Sequence, residues 1–333
     1  MGKHRGALSG VARFLQESNE EAVHEPQESD APPAKKRKTN GGAVPIASLP
    51  AEFSDSQWVA NYDATGMVPH YKHASEVPEH LQKYFYQRTR FLSLYSSPPG
   101  CLLDEEGWYS ITPELVANQI AERCRCDTIL DAFCGVGGNA IAFAKTCERV
   151  IALDISPTRL ALARHNAQIY GVADRIEFIL TDYISFANSY LSINSRTSQR
   201  KIDVVFLSPP WGGPGYLSGD TRPSSPTKPN PPIPAGSEPA HPSYTLASIQ
   251  PIHGAELFQL TRKITSNVAY FLPRNTRIDE ISALLTDPAV SPISSPDKPE
   301  MVEVEEEWMG SKLKALTCYF GGLADGQPEL FDA

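Results

Sequence analysis

No stretch of the chain approaches the roughly 18 consecutive apolar residues of a membrane-spanning helix, and the N-terminus lacks the apolar core of a secretory leader. No membrane span is therefore expected. Cysteine is sparse: six residues, at 101, 124, 126, 134, 147 and 318. Cys124 and Cys126 have one residue between them rather than two, no second pair answers them, and no His stands at zinc-ligand spacing. This excludes a disulfide scaffold and leaves no metal site to expect. Six reduced thiols fit an intracellular setting. Positive charge is in deficit, with 30 Lys and Arg against 39 Asp and Glu, a net charge of −9. A broad electrostatic coat for nucleic acid is thereby disfavoured, although a local basic pocket is not. There is no internal repeat.

Hydrophobic residues make up 41% of the 333 residues, enough for a large core, but 29 prolines are many for one compact domain. They mark where the chain departs from packed structure. Residues 1–50 are polar and rich in Gly, Pro and Glu, and cannot repay the entropy of ordering. Within them Lys35, Lys36, Arg37 and Lys38 beside Pro32 and Pro33 read as a nuclear-import signal, or as a solvated charge run. Residues 223–242 hold eight prolines, so 218–243 is expected to interrupt the domain as a surface loop. The organisation expected is a disordered tail over 1–50, a helical extension over 51–110, a main folded domain over 111–322 broken by that loop, and a short tail over 323–333.

Between these breaks the periodicity alternates. Residues 79–95 place Leu81, Tyr84, Phe85, Phe91, Leu92 and Tyr95 near helical spacing, with Lys83, Arg88 and Arg90 among them. That helix could line a polyanion site, or be an ordinary amphipathic helix with snorkelling cations. A helix is predicted from Thr112 as N-cap, with Pro113 at its first position. Short apolar strands follow at 128–131, 150–154, 176–180 and 202–207, with helices over 139–146 and 157–170 between them. A further helix is expected over 257–264 and a strand over 267–272, and the segments 302–308 and 313–320 read as a closing hairpin. The fold predicted is α/β: a doubly wound, mostly parallel sheet with a C-terminal antiparallel hairpin and a small helical N-terminal extension.

In such a sheet ligands bind beyond the carboxyl ends of the strands, and three strands run into an acid there: Asp131, Asp154 and, past the third, Asp182. Asp131 opens the turn Asp131-Ala132-Phe133-Cys134-Gly135-Val136-Gly137-Gly138-Asn139, where Gly135 and Gly137 permit close backbone approach. The pattern departs from the dinucleotide G-x-G-x-x-G and favours a cofactor with an amino-acid tail and no pyrophosphate. Asp131 would meet its ammonium, Asp154 its ribose hydroxyls and Asp182 its adenine amine. Those roles describe S-adenosylmethionine. Helix capping accounts for one of these acids well and for all three poorly.

The fourth strand leads into Ser208-Pro209-Pro210-Trp211-Gly212-Gly213-Pro214. Two prolines stiffen this loop and hold Trp211 where it can stack on a planar base. It looks like the N/D-P-P-Y/F/W motif of methyltransferases acting on exocyclic amines. Together with residues 130–138, 83–88, 106–114 and 271–275 it resembles the trimethylguanosine synthases, over roughly 79–217 and 244–322. The resemblance implies a class I (Rossmann-like) methyltransferase that converts the 7-methylguanosine cap of small nuclear and nucleolar RNAs to 2,2,7-trimethylguanosine, in the nucleus or nucleolus. It implies that Trp211 stacks on the cap guanine, that Ser208 and Pro209 face the reacting N2 amine beside Pro210, and that Lys83 and Tyr216 hold the triphosphate. Arg88 is expected to assist them. Thr112, Asp131, Asp154 and Asp182 match cofactor positions, with Gly135, Gly137 and Asn139 in the same turn. Trp58, Tyr62 and Phe85 are candidates for a second aromatic against the N7-methylated base. Small-ribonucleoprotein contacts through the tails and a monomeric state are also expected. The other readings are methylation of an internal RNA guanine or a protein glutamine, and a non-catalytic cap-binding module.

Overall fold

The computed structural model describes residues 62–194, 201–212, 243–285 and 300–324. The expectations for residues 1–61, for Tyr216, for the proline-rich stretch and for the tail from residue 325 fall outside them.

A seven-stranded sheet forms the centre. Its strands are β1 (Thr128–Asp131), β2 (Arg149–Asp154), β3 (Ile176–Leu180), β4 (Val204–Leu207), β5 (Val268–Pro273), β6 (Val302–Met309) and β7 (Lys312–Phe320). The spatial order is β3-β2-β1-β4-β5-β7-β6. The first five are parallel, while β7 pairs antiparallel with both β5 and β6. Every residue of β1, β4 and β5 is buried, which is why these segments read as unbroken apolar runs rather than alternating ones. The chain moves outward from β1 to β2 and β3, then returns to lay β4 against the other side of β1. That reversal opens a crevice above β1 and β4.

The helices packed on the sheet are α4 (Glu114–Arg123), ahead of β1, and α5 (Gly138–Thr146) beneath one face, with α6 (Pro157–Ile169), α7 (Tyr183–Asn194), α8 (Gly254–Arg262) and α9 (Ile278–Ala283) following in the chain. Two apolar layers result. One gathers Ile120, Phe143, Phe206, Phe271 and Tyr319, the other Leu153, Tyr183, Phe258, Tyr270 and Phe320. Three shorter helices precede α4: α1 (Glu79–Phe85), α2 (Arg88–Phe91) and α3 (Glu105–Ser110). The single helix expected over 79–95 is broken at Gln87, whose φ of −108° and ψ of 7° leave the helical region. The reason is packing. On a straight helix Phe91 would sit about 120° around from Phe85, yet Phe85 and Tyr95 both pack on Trp108, at 6.2 and 5.3 Å between ring centroids, and Phe91 is buried as well.

The hairpin end of the sheet carries an uncompensated buried acid. Glu307 is 1% exposed and accepts the Thr317 hydroxyl. Burial, and then the charge of Glu305, push its carboxyl up to about 8. Asp131 is likewise raised, to about 7. A raised acid stabilises the fold fully below its unfolded pKa of about 4, and that stability is lost as pH rises through the folded value. The thermal midpoint is therefore expected to fall between pH 5 and 8. In Glu307→Gln, which keeps an acceptor for Thr317, the upper part of that fall should flatten. Melts across this range check it, and a slope identical to the parent's would refute the assignment.

Candidate active site

The first strand delivers Asp131 wholly buried. Its Oδ1 accepts the Phe133 N–H at 3.4 Å, while Oδ2 is a buried acceptor with no hydrogen-bond partner. Burial raises its pKa first, and the nearby Asp154 charge adds to it. The turn that follows is left-handed at two glycines, with φ of 52° at Gly135 and 91° at Gly137. A side chain at Gly137 would also collide with Ala163 of α6, at 3.0 Å from Cβ to Cβ, so helix and turn touch there. Around Gly135 a Cβ would meet nothing within 4 Å, which leaves open space beside the turn.

Asn139 is the second orphan. Its Nδ2 donates to Thr112 Oγ1 at 3.0 Å, and its Oδ1 is a buried acceptor without a partner. Thr112 is thus not the N-cap predicted for α4; Pro113 occupies that place, and the buried Thr112 hydroxyl is directed to Asn139 instead. Two unsatisfied acceptors in one turn call for a donor. An ammonium on an amino-acid tail is such a donor, and the S-adenosylmethionine expected from the sequence carries one.

Asp154 ends β2 and spends both oxygens on the backbone: Oδ2 accepts Gly135 N–H at 3.0 Å and Oδ1 accepts Ser156 N–H at 2.8 Å. It fastens the glycine turn to the entry of α6 and, half-buried, stands at the rim where ribose hydroxyls are expected. Asp182 lies two residues beyond the end of β3. Its Oδ1 accepts Ser185 N–H at 2.8 Å, so it caps α7, and these hydrogen bonds hold its carboxyl below the usual range. Capping thus explains Asp182, as it does not explain Asp131.

The target motif meets this turn across the crevice. Ala132 N–H donates to Phe206 O at 3.1 Å, and Ser208 Oγ donates to Phe133 O at 3.4 Å. Pro209 is buried and Pro210 exposed. Trp211 is half-buried, packs against both apolar layers, and leans on Phe271 of β5 at 5.2 Å and 32° between ring planes. Its carbonyl accepts the Tyr244 hydroxyl at 3.5 Å.

The N-terminal helices are bolted over the same end. Asn166 of α6 binds Leu102 through both its amide atoms and donates to Val136 O at 3.0 Å. Asp104 caps α3 through Gly107 N–H at 2.8 Å and pairs with Arg159 at 3.0 Å, while Glu106 also holds Arg159. A Cβ at Gly107 would lie 3.0 Å from Val136, which explains the glycine in the Glu106-Gly107-Trp108 motif. Sequence reasoning assigned neither Arg159 nor Asn166.

Lys83 is exposed and lies over the Tyr84 ring, 4.9 Å from its centroid. Arg88 is committed elsewhere: its guanidinium covers Phe85 at 4.2 Å and donates to the Phe85 carbonyl at 3.1 Å. The aromatic partners proposed for Trp211 do not gather there. Phe85 is buried within the extension, and Tyr62 lines a cavity with Phe178 and Ile179 of β3, three strands away from β4. Trp58 falls outside the described residues. Lys83 and Arg90, expected near a polyanion, have basic company that sequence reasoning did not assign: Arg274, Lys312 and Lys314. The Lys314 ammonium is disfavoured first by burial and then by Lys312, Arg274, Arg90 and Lys83. Arg274 is held among them by its hydrogen bond to the Leu313 carbonyl at 3.4 Å.

Comparison with known proteins agrees with this geometry. The family described as RNA cap guanine-N2 methyltransferase matches residues 126–222 and 231–323. The trimethylguanosine synthase of Schizosaccharomyces pombe is 35% identical over 249 residues, 73% of this chain and 87% of that protein. That of Saccharomyces cerevisiae is 30% identical over 247 residues, 72% of this chain and 67% of that protein.

Proposed function

The chain belongs to the RNA cap guanine-N2 methyltransferase family, and on that premise we propose that it adds both N2 methyl groups of a 2,2,7-trimethylguanosine cap to small nuclear and nucleolar RNAs. Its cofactor is S-adenosylmethionine, and the two orphaned acceptors, Asp131 Oδ2 and Asn139 Oδ1, fit that cofactor's ammonium. The observation that carries the reading is the placement of the Ser208–Trp211 motif beside this turn, across the sheet's reversal point.

S-adenosylmethionine supplies a methyl group already electrophilic on its sulfonium, so the protein's task is to position and stabilise. Trp211, backed by Phe271, offers a ring face to the guanine; the N7-methyl cation adds roughly 0.5–2 kcal/mol to that stack. Ser208 Oγ and the Pro209 carbonyl accept hydrogen bonds from the N2 amine. They aim its lone pair and stabilise the positive charge that grows on nitrogen. The present Ser208 bond is long at 3.4 Å and easily exchanged. The amine is nearly non-basic, and the cation formed on alkylation is strongly acidic, so it gives its proton to water and no strong base is required. Lys83, Arg274 and Lys314 supply the charge for the cap triphosphate, with Tyr216 as their expected companion. Nuclear residence rests on Lys35, Lys36, Arg37 and Lys38.

The test is mass spectrometry of N7-methylated and unmethylated capped dinucleotides incubated with the protein and the methyl donor. Two methyl increments on N2 of the N7-methylated cap alone are expected. Transfer to neither cap, with donor binding intact, would redirect the assignment to an internal RNA or protein amine.

A further inference from the structure

The two cysteines nearest in the chain, Cys124 and Cys126, are not the pair that meets. Thr128 at the start of β1 stands beside Arg149 of β2, and the ladder continues backward from there. Arg149 N–H donates to Asp127 O at 2.9 Å, and Glu148 N–H donates to Cys126 O at 3.3 Å. This brings Cys126 beside Cys147, and the Cys126 thiol donates to Cys147 Sγ at 3.9 Å. Adjacent strands run about 4.8 Å apart, inside the roughly 4.4–6.8 Å that a disulfide spans between Cα atoms. Both sulfurs belong to one apolar layer, and Cys147 is the residue that caps the end of α5.

Their surroundings differ. Cys147 is 1% exposed, whereas Cys126 is only half-buried. The S–H that Cys126 donates holds the Cys147 thiol below its usual range in spite of burial, and the Thr146 hydroxyl and the Arg125 charge act in the same direction. The same bond raises the thiol of Cys126. One proton removed from the pair leaves the other shared across the sulfur contact, so the anion also reaches the accessible sulfur. The thiolate is the nucleophile in exchange. Cys101, Cys124, Cys134 and Cys318 are buried, and burial pushes each of those thiols up.

We propose that Cys126 and Cys147 form a reversible dithiol–disulfide pair, closed by exchange with an oxidised small-molecule disulfide, which fastens the loop carrying the cofactor turn. Cys126 sulfur attacks one sulfur of the small disulfide, whose S–S bond breaks. One small thiol departs with the Cys126 proton, leaving a mixed disulfide. Cys147 sulfur then attacks the Cys126 sulfur, and the second small thiol departs with the Cys147 proton. The cysteine pair loses two electrons and the small disulfide gains them. The bridge closes residues 126–147 into a ring that contains Asp131, Gly135, Gly137 and Asn139. Closure of that ring restricts the unfolded chain and so favours the folded one. None of this depends on the identity of the methyl acceptor.

The full chain is equilibrated with oxidised and reduced glutathione in graded ratios, acid-quenched, alkylated and mapped by mass spectrometry. The parent should lose two hydrogens, yield a peptide pair linked through Cys126 and Cys147, and recover both thiols in excess reduced glutathione. Its thermal midpoint should rise by several degrees on oxidation. Cys147→Ala should instead retain one glutathione on Cys126, because the resolving sulfur is gone. Cys126→Ala should take up none, and Cys124→Ala should form the bridge as the parent does. The parent's own peptide map decides the matter even where a variant fails to fold. Folded parent that gives no such linked pair in excess oxidised glutathione overturns the proposal. So does a bridge through Cys124, or a thermal midpoint unchanged or lowered by oxidation.

Discussion

Trp211→Ala is expected to lower affinity for 7-methylguanosine triphosphate by on the order of a hundredfold while leaving S-adenosylmethionine binding nearly unchanged. Base–aromatic stacking contributes about 1–3 kcal/mol, and the N7 cation adds roughly 0.5–2 kcal/mol. A loss of about 3 kcal/mol corresponds to two decades in affinity. The residues proposed for the cofactor lie on the other side of the crevice, on the turn that begins at Asp131, and do not touch this ring. The ring also packs against Phe271, so a melt must accompany the titration. Trp211→Phe separates the two roles, since it keeps a ring face and should recover most of the binding. Equilibrium titrations of methylated and unmethylated guanosine triphosphates decide the matter. An alanine variant that still prefers the N7-methylated ligand would show that selectivity arises elsewhere.

Asp131→Asn should weaken S-adenosylmethionine binding by roughly ten- to a hundredfold, the weight of a charge-assisted hydrogen bond of about 1.5–3 kcal/mol. It should also change the pH profile, which mere loss of packing would not. In the free protein the Asp131 carboxyl is pushed up to about 7. A cationic tail binds the carboxylate and not the acid, so affinity is lost as pH falls below that value, and binding near neutrality releases a proton. An α-ammonium gives up its own proton near pH 8, which sets the alkaline limb. The parent should therefore bind best in a narrow window around pH 7–8. Asp131→Asn should lack the acidic limb and keep the alkaline one. Calorimetry in buffers of different ionisation enthalpy measures the proton directly. Proton release that persists in the variant would assign it to another group.

The parallel sheet was legible because its strands are short apolar runs punctuated by acids and glycines, and the target motif because two prolines lead directly into an aromatic. Other features depend on partners that local patterns do not name. Thr112 looks like an N-cap until Asn139 claims its hydroxyl. The helix through residues 79–95 looks continuous until Trp108 must be packed from two directions. Residues 105–110 carry a capping Asp104, yet their helix was hidden by its brevity and by Gly107. Lys83 was named from its motif, but Arg274 and Lys314 lie far from it in the chain, and an acidic total charge conceals their company. Only the fold brings them together, through the pairing of β5 with β7 and the seating of the N-terminal helices.

The insertion of β7 between β5 and β6 bears on synthesis. A nascent chain emerges N-terminus first, so β6 leaves the ribosome before the strand it must pair with. Until residues 312–320 are free, β5 has no outer neighbour, and the fully buried Val268–Pro273 segment presents an open edge. Such an edge is a template for aggregation, and partly made domains are vulnerable in this way. A message broken shortly before that point would yield no partial enzyme. Among the described strands, the last one made seals the sheet.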